Sequence, residues 1–279
     1  MNEPNESAAR LRAKAYDEHY HSAGWKSVAW TREKIEAFLT YALEAERGGH
    51  INGNEIAFAL RQVGVPNLEG KTILDYCCGT GITAIYFALL GADVEAFDAS
   101  RIGIDIARES AERSGVAERV EFRVADARAL PYAANTFDAA FCQSALHIVA
   151  DYPECSTELA RVLKPGTKAV FCEEALGHNP LLAPIRCVRR RARRECGGRP
   201  LKYADIEAFG KCFSATMIHH FNLLAQSKML FAGQLRRTGR LRPSTCKLVR
   251  RLERIDERIL QAAPWLERLC GKVVTEFIK

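Results

Sequence analysis

One stretch, residues 71–100, constrains the fold of this chain more than any other part of its sequence. It reads KTILDYCCGTGITAIYFALLGADVEAFDAS. An apolar strand, Thr72 to Tyr76, runs into a glycine turn, an apolar helical segment follows to about Leu90, and a second strand ends on Asp98. This order is typical of nucleotide-binding sheets, in which the strand ends and the helix N-terminus form a crevice. The stretch therefore predicts an α/β fold with a ligand site at the turn.

The following residues continue the alternation of helical and apolar extended segments. A helix is predicted over 101–114, and strands are predicted over 120–125, 137–143 and 168–173. A further helix over 152–163 precedes the last of these strands. Helices of such lengths between strands produce parallel strands with right-handed crossovers, and hence a doubly wound sheet.

The residues before 71 form a leader with helical periodicity. Its apolar and capping patterns predict helices over 8–21, 31–47 and 54–63. Tyr16 and Tyr20 lie four residues apart, on one side of the first helix. Because this leader must pack somewhere, we expect it to cover the open mouth of the sheet.

The basic charge of the chain is concentrated in its last third. The net charge is +6, and arginines cluster in 186–199 and 234–242. Such clusters suit nucleic acid, an anionic lipid surface or an acidic substrate, and equally a solvated helix face. A helix over 245–262 carries apolar residues at 248, 252, 255 and 259. With the segment 186–199 it predicts a homodimer face or a peripheral contact with anionic membrane.

Cysteine usage and hydropathy indicate a reduced cytoplasmic protein without a metal site. The ten cysteines form no CxxC pair and no Cys/His group at zinc spacing, which predicts free thiols. The longest mostly apolar run, 82–92, is too short to span a bilayer. The polar, acidic N-terminus is unlike a secretory signal.

Two cofactors compete for the glycine turn. Gly79 and Gly81 fit the dinucleotide fingerprint, and Asp98 follows at the spacing that binds a ribose diol. However, Asp75 precedes the turn, where its carboxylate would repel a pyrophosphate but could bind an amino-acid ammonium group. Asp126 ends the third strand, where it could accept from an adenine amino group. This pair of acids favours S-adenosylmethionine over NAD.

Four motifs resemble those of class I S-adenosylmethionine-dependent methyltransferases. ILDYCCGTG resembles their glycine-rich first motif, usually close to (V/I)LD-x-G-C-G-T-G, and GADVEAFDAS resembles their acidic second strand. VADARALPYAANTFDAAFCQSALHIV resembles their third and fourth strands, and LARVLKPGTKAVFCEE resembles the helix and fifth strand. The matches follow the family's order across residues 74–174. In detail they are most similar to the small-molecule branch that includes quinone-pathway methyltransferases.

The resemblance implies a Rossmann-like, seven-stranded sheet of order 3-2-1-4-5-7-6 with an antiparallel seventh strand. Residues 1–70 would form a helical lid, and 71–175 the S-adenosylmethionine-binding core. Residues 176–279 would complete the same domain, with strands six and seven and a basic helical insertion before the last strand. Strand six would cover 215–224 and strand seven 272–278.

The resemblance also implies the cofactor contacts, position by position. They are Asp75, Cys77, Gly79 and Gly81 around the methionine part, Asp98 at the ribose, Ala99, Asp126 and Ala127 at the adenine, Gln143 near the methionine or sulfonium, and Tyr16 and Tyr20 as lid candidates. Cys77 departs from the family, which nearly always has glycine there. If this position needs a positive φ, a cysteine is strained.

His147 is the candidate general base, because it follows strand four at the edge where substrate would meet the methyl group. The alternative is a histidine that only packs or forms a hydrogen bond at the strand end. For Glu173 and Glu174, orientation of substrate and solvated charge are both open.

The predicted function is methylation of a small or lipid-like molecule, apolar or aromatic, on oxygen, nitrogen or carbon. An RNA methyltransferase is the first alternative, suggested by the arginine clusters. Against it, strand four lacks the (D/N)PP(Y/F) signature, no PC dipeptide is present and no RNA-binding module is recognisable. A non-catalytic cofactor-binding scaffold is the second alternative, prompted by Cys77.

Overall fold

The computed structural model describes residues 3–22, 24–41, 53–174, 201–231 and 243–279. The arginine segment 186–199, the cluster at 234–242 and the end of the helix predicted over 31–47 lie outside these residues. The helices are α1 Glu3–Ser22, α2 Arg32–Tyr41, α3 Asn54–Val63, α4 Ile82–Leu89, α5 Arg101–Arg113, α6 Leu146–Val149, α7 Pro153–Val162, α8 Tyr203–Gly210 and α9 Pro243–Ala262. The strands are β1 Thr72–Tyr76, β2 Asp93–Asp98, β3 Val120–Val124, β4 Phe137–Gln143, β5 Leu163–Glu174, β6 Ala215–Phe221 and β7 Lys272–Ile278.

The strands form a seven-stranded sheet of order β3-β2-β1-β4-β5-β7-β6, which confirms the predicted topology. The first five strands pair in parallel, whereas β7 is antiparallel to both β5 and β6. The chain therefore reverses its order at the β1–β4 pair. In open α/β sheets a ligand binds at this switch point, outside the carboxyl ends of the strands.

Side chains alternate between two apolar layers, as the period of a strand requires. Ile73 faces the layer that contains α3, α4 and α5, while the next residue, Leu74, faces the layer of α6, α7 and α8. The described cysteines are free thiols, as predicted. Both faces of the central strands are thus covered, and the carboxyl edge is left for function.

The glycine turn adopts a conformation that only glycine accommodates with ease. Gly79 and Gly81 have φ values of 57° and 76°, in the left-handed region. A Cβ on Gly81 would lie 2.7 Å from Ala107 Cβ and 2.7 Å from the Phe122 ring. Glycine at this position therefore lets α4 start directly from the turn while it packs against α5 and β3.

The C-terminal insertion, α9, buries a different stripe from the one that its apolar residues predict. Its buried residues are Thr245, Val249, Glu253 and Asp256, whereas Leu248 is 44% exposed. The stripe is displaced by one residue, or about 100° around the helix axis. The reason is electrostatic, because Asp256 accepts from the backbone N–H groups of Leu224 and Ala225 at 2.8 and 2.9 Å.

Candidate active site

The buried carboxyl of Asp75 is the most unusual polar group at the glycine turn. Its side chain is 2% exposed, and Oδ2 has no hydrogen-bond partner among the described residues. Burial raises the pKa of Asp75 to about 7; the Ala84 N–H opposes this rise, and the nearby Asp98 adds to it. A buried acceptor without a donor is unfavourable. The group therefore has the position and chemistry to receive a cationic donor.

Asp98 ties the end of β2 to the glycine turn. Its Oδ2 accepts from the Gly79 N–H at 2.9 Å and its Oδ1 accepts from the Ser100 N–H at 2.9 Å. Burial raises the pKa of Asp98, and the backbone donors at Ser100 and Gly79 partly offset it. The neighbouring Ala99 is exposed at the same edge. Asp75 and Asp98 thus flank the turn; both oxygens of Asp98 accept from backbone donors, whereas Oδ2 of Asp75 has no hydrogen-bond partner among the described residues.

Asp126 stands beyond the end of β3 and is held by Arg128. The Arg128 guanidinium donates to both carboxylate oxygens, at 3.0 Å from Nε and 2.6 Å from Nη2. Burial raises the pKa of Asp126, but the hydrogen bonds and charge of Arg128 outweigh it, so the pKa is lowered. Ala127 packs partly buried against the layer of α6, α7 and α8. Arg128 was not anticipated from the sequence, although its place two residues after Asp126 permits this turn.

Cys77 has a φ of 58°, so the position that the family fills with glycine is in the left-handed region. For a residue with a Cβ this conformation costs about 1–2 kcal/mol. The side chain packs against the layer that contains Tyr76 and Cys142. Burial raises the pKa of the Cys77 thiol well above its usual range, which disfavours a nucleophilic thiolate. Cys77 is therefore a strained packing residue.

Tyr20 of α1 lies directly over the glycine turn. A Cβ on Gly79 would lie 2.9 Å from Tyr20 Oη, and a Cβ on Gly103 would lie 3.0 Å from Tyr20 Cε2. The ring packs edge-on to Trp25, with 5.5 Å between centroids, and Tyr16 lies 6.4 Å away. The two glycines thus provide the space that the Tyr20 ring fills.

Helix α1 is anchored on both sides of the crevice. On one side, Asp17 Oδ1 accepts from Ser100 Oγ at 2.5 Å and from the Ile102 N–H at 3.1 Å, at the start of α5. On the other side, Arg12 Nη2 lies 3.3 Å from Asp151 Oδ2, and its guanidinium lies 5.5 Å from the Tyr152 ring centroid. The helix therefore crosses the carboxyl edge of the sheet between α5 and the segment after β4.

His147 is on α6, just beyond the carboxyl end of β4. Gln143 ends that strand, and Ser144 turns the chain with a φ of 63°. His147 Nδ1 lies 3.1 Å from Glu173 Oε1, and the His147 N–H donates to Glu173 Oε2 at 3.3 Å. Glu173 is 2% exposed, so it is not a solvated charge.

The comparisons with known proteins agree with this geometry. Residues 73–166 match the family described as "Methyltransferase domain". A demethylmenaquinone methyltransferase of Lactiplantibacillus plantarum is 34% identical over 116 residues, which cover 40% of this chain and 49% of that protein. A ubiquinone biosynthesis O-methyltransferase of Sinorhizobium medicae is 40% identical over 99 residues, which cover 36% and 39%. The chain spans about half or less of the length of these curated relatives.

This chain carries a methyltransferase domain. Its fold is that of a Haemonchus contortus phosphoethanolamine N-methyltransferase solved with S-adenosyl-L-methionine, at a TM-score of 0.57 and 17% identity, over 90% of this chain and 58% of that one. The match over residues 73–166 and the fold support the predicted resemblance to class I S-adenosylmethionine-dependent methyltransferases.

The methyltransferase domain brings most of the predicted site residues to one edge of its sheet. Tyr20 lies over the glycine turn, Asp98 accepts from its Gly79 N–H, and Asp75 precedes it at the end of β1. Gln143 ends the neighbouring strand β4, and His147 follows it. Asp126 and Ala127 lie further along the edge, beyond β3. The anchoring side chains of α1 were missed because they carry no motif. No helix in the described ranges has the length and apolar character needed to span a bilayer.

Proposed function

We propose that this chain is an S-adenosylmethionine-dependent methyltransferase that acts on a small or lipid-like molecule. The observation that carries the proposal is the buried Oδ2 of Asp75, which lacks a hydrogen-bond partner among the described residues. An amino-acid ammonium group would donate to this oxygen, whereas a pyrophosphate would be repelled by it. The site therefore suits the methionine part of the cofactor better than it suits a dinucleotide.

The neighbouring residues are suited to the rest of that cofactor. Gly79 and Gly81 allow close approach to the backbone, and the N-terminus of α4 favours a carboxylate through its N–H groups and dipole. Asp98 would bind the ribose hydroxyls, because a carboxylate accepts about four hydrogen bonds and two already come from the backbone. Tyr20 would close over the methionine part, with Tyr16 beside it.

The adenine end would lie toward β3. We propose that the adenine amino group shares the Asp126 carboxylate with Arg128, and that Ala99 and the Ala127 backbone contact the ring. Cys77 and Gln143 would complete the wall around the methionine and sulfonium. These assignments rest on position at the carboxyl edge and on the residue types found there.

When bound, S-adenosylmethionine supplies a methyl group on a sulfonium, activated for in-line displacement. The protein then has to align the acceptor and remove its proton. We propose His147 as the base, since Glu173 orients its ring at the strand end nearest the sulfonium position. The curated relatives named for menaquinone and ubiquinone support a small, lipid-like acceptor.

The two alternatives have less support. Methylation of RNA was suggested by arginine clusters that lie outside the described residues, so no described contact favours it. A non-catalytic scaffold was suggested by Cys77, yet the strained cysteine leaves the turn in the left-handed geometry of its glycines. We also propose a cytoplasmic location. Contact of α9 with a second copy or an anionic membrane stays a proposal, to be separated by light scattering and liposome flotation.

Calorimetric titration with S-adenosylhomocysteine tests the main proposal. We expect saturable binding to the wild type and a loss of at least about tenfold in affinity for Asp75→Asn, because a charge-assisted hydrogen bond is lost. Asp93→Asn is the matched control, since Asp93 is exposed at the opposite edge of the sheet. A wild type that does not bind, or equal losses in the two variants, would contradict the proposal.

A further inference from the structure

Helix α9 separates its charges by sign between its two sides. Of its acids, Glu253 is 4% exposed and lies 3.8 Å from Lys228 Nζ, and Asp256 is buried against the segment after β6. The third acid, Glu257, accepts from the Asn54 amide at 3.2 Å. The basic side chains of α9 are all exposed: Lys247, Arg250, Arg251, Arg254 and Arg258. At about 100° per residue, these five cations cluster on the side of the helix opposite its buried residues.

The apolar residues of α9 lie between its buried side and its cationic side. Leu248 is 44% exposed, and Leu252, Ile255 and Ile259 are half-buried. They follow one another at intervals of three and four residues, so they form one continuous stripe along the helix. Together with the five cations, this stripe forms the α9 docking face. An apolar stripe beside a row of arginines is typical of helices that lie in the plane of a membrane interface.

The α9 docking face is held at the carboxyl edge of the sheet. The chain leaves α9 through a short 3₁₀ helix, Pro264–Leu269, and enters β7 at Lys272. Lys272 is opposite Glu174 and Phe221, which are the last residues of β5 and β6. Because β5 is parallel to β4, this is the edge at which β4 also ends. The helix therefore ends beside the part of the sheet that carries the candidate active site.

Trp265 has the largest exposed fraction, 75%, among the large apolar side chains of the described residues. It lies in the connection between α9 and β7, which is tied to β6 because Glu267 Oε2 lies 3.3 Å from His220 Nδ1. Tryptophan is enriched at membrane–water interfaces, since its ring suits the acyl boundary and its N–H suits the wet side. An exposed indole at the end of an arginine-rich helix therefore indicates the same kind of partner as the helix does.

We propose that the α9 docking face and Trp265 bind the surface of an anionic lipid bilayer. The proposal goes beyond the proposed methyl transfer and does not depend on it. A second copy of this chain fits less well, because two docking faces would bring like charges together. RNA also fits less well, since α9 has no aromatic side chain on which a base could stack. If the acceptor is lipid-like, docking would bring the carboxyl edge of the sheet close to the bilayer that dissolves it.

Flotation with phospholipid vesicles tests the charge of the partner. We expect the wild type to float with vesicles of phosphatidylcholine mixed with phosphatidylglycerol, but not with phosphatidylcholine alone, and to float less at high salt. Arg250→Gln combined with Arg254→Gln should weaken binding by roughly 25-fold, at about fivefold per cation. The matched control is Arg108→Gln combined with Arg113→Gln, at two exposed arginines of α5. Equal losses in the two double variants, or a wild type that does not float, would overturn the proposal.

Insertion of the apolar residues is tested by fluorescence, with anionic vesicles whose acyl chains carry bromine and quench a nearby indole. We expect quenching of the wild type and loss of most of it in Trp265→Phe, because Trp30 is 3% exposed and Trp25 is half-buried. Leu248→Ser should reduce quenching and flotation together. Met217→Ser should change neither, although Met217 is 41% exposed and thus similar to Leu248.

Three results would contradict a lipid partner. Quenching that persists in Trp265→Phe would show that another surface meets the bilayer. A dimer detected by light scattering without lipid, and dissociated by Leu248→Ser, would identify a second copy as the occupant of the docking face. Binding of an RNA oligonucleotide that the double arginine variant loses, without flotation of the wild type, would identify RNA as the partner.

Discussion

Two buried carboxylates, one in strand β1 and one in helix α3, show how differently the same group is used. Asp75 in β1 has an oxygen without a hydrogen-bond partner in the described residues, and burial raises its pKa to about 7. Glu55 in α3 is also fully buried, but Lys272 Nζ lies 2.8 Å away and Lys228 Nζ 3.4 Å away. Burial alone would raise the pKa of Glu55, yet the two lysines lower it to about 2.

The difference separates a structural charge from a charge reserved for a ligand. Glu55 joins the leader to the start of β7 through Lys272, and to the insertion through Lys228 and an Asn222 amide 3.2 Å away. Gly53 lies against this cluster, since a Cβ there would be 2.3 Å from Glu253 Oε1. Asp75 has no comparable cation at hand in the described structure. Protonation of the Asp75 carboxyl avoids a buried, uncompensated charge as long as no cationic ligand is bound.

Of the changes that test this comparison, removal of the Glu55 carboxylate should have the largest effect on stability. Glu55→Ala removes the buried carboxylate that Lys272 and Lys228 share, and we expect a loss of about 3–5 kcal/mol in the free energy of unfolding. Since the folded-state pKa of Glu55 is lowered, its contribution is present above pH of about 4.5 and is lost as the pH falls toward 2. Urea unfolding at pH 7 measures the loss. The exposed Glu121→Ala is the control, and an equally stable Glu55→Ala would show that the lysines are satisfied elsewhere.

Removal of the charge at Asp75 should raise the free energy of unfolding, whereas removal of Glu55 lowers it. The folded state keeps the Asp75 proton up to pH of about 7, whereas the unfolded chain releases it near 3.8, so stability falls as the pH rises between these values. Asp75→Asn removes this loss, and we expect it to be more stable than the wild type by about 2–4 kcal/mol at pH 8. At pH 4 the wild type and Asp75→Asn should have nearly the same free energy of unfolding. A variant that is less stable at pH 8 would indicate that Asp75 is already compensated in the free protein.

Ligand binding should reveal the same proton. If an ammonium group pairs with ionised Asp75, binding of S-adenosylhomocysteine releases a proton below pH 7. We expect affinity to rise by up to about tenfold per pH unit between 5.5 and 7. Calorimetry in buffers of different ionisation enthalpy counts the protons released. Asp75→Asn should abolish the slope, and an unchanged slope in that variant would assign the proton to another group.

The smallest expected effect concerns the strained backbone beside Asp75. Cys77→Gly removes the Cβ from a left-handed residue, and we expect a gain of about 1 kcal/mol in the free energy of unfolding. Asn135→Gly is a matched control, because Asn135 has a similar φ of 56° but asparagine tolerates that region. A gain of the same size in both variants, or none at Cys77, would argue against strain as the distinguishing feature of this turn.

The half of the sheet that carries motifs was predictable from sequence, and the other half was predictable in topology but not in packing. Alternating apolar strands, the glycine turn and the family's strand order specified the positions of Asp75, Asp98 and His147. The Glu55 cluster was not predicted, because its members are far apart in sequence and periodicity treats charged residues as exposed. For the same reason α9 buries Glu253 where an apolar stripe was expected.

Movement of helix α1 would limit how often this site can turn over. Tyr20 lies over the glycine turn, and α1 is held on opposite sides of the crevice by the Asp17–Ser100 and Arg12–Asp151 contacts. Exchange of S-adenosylhomocysteine for S-adenosylmethionine would therefore require at least one of these contacts to break. The rate at which α1 opens would then be an upper limit on kcat, even if the methyl transfer itself is faster.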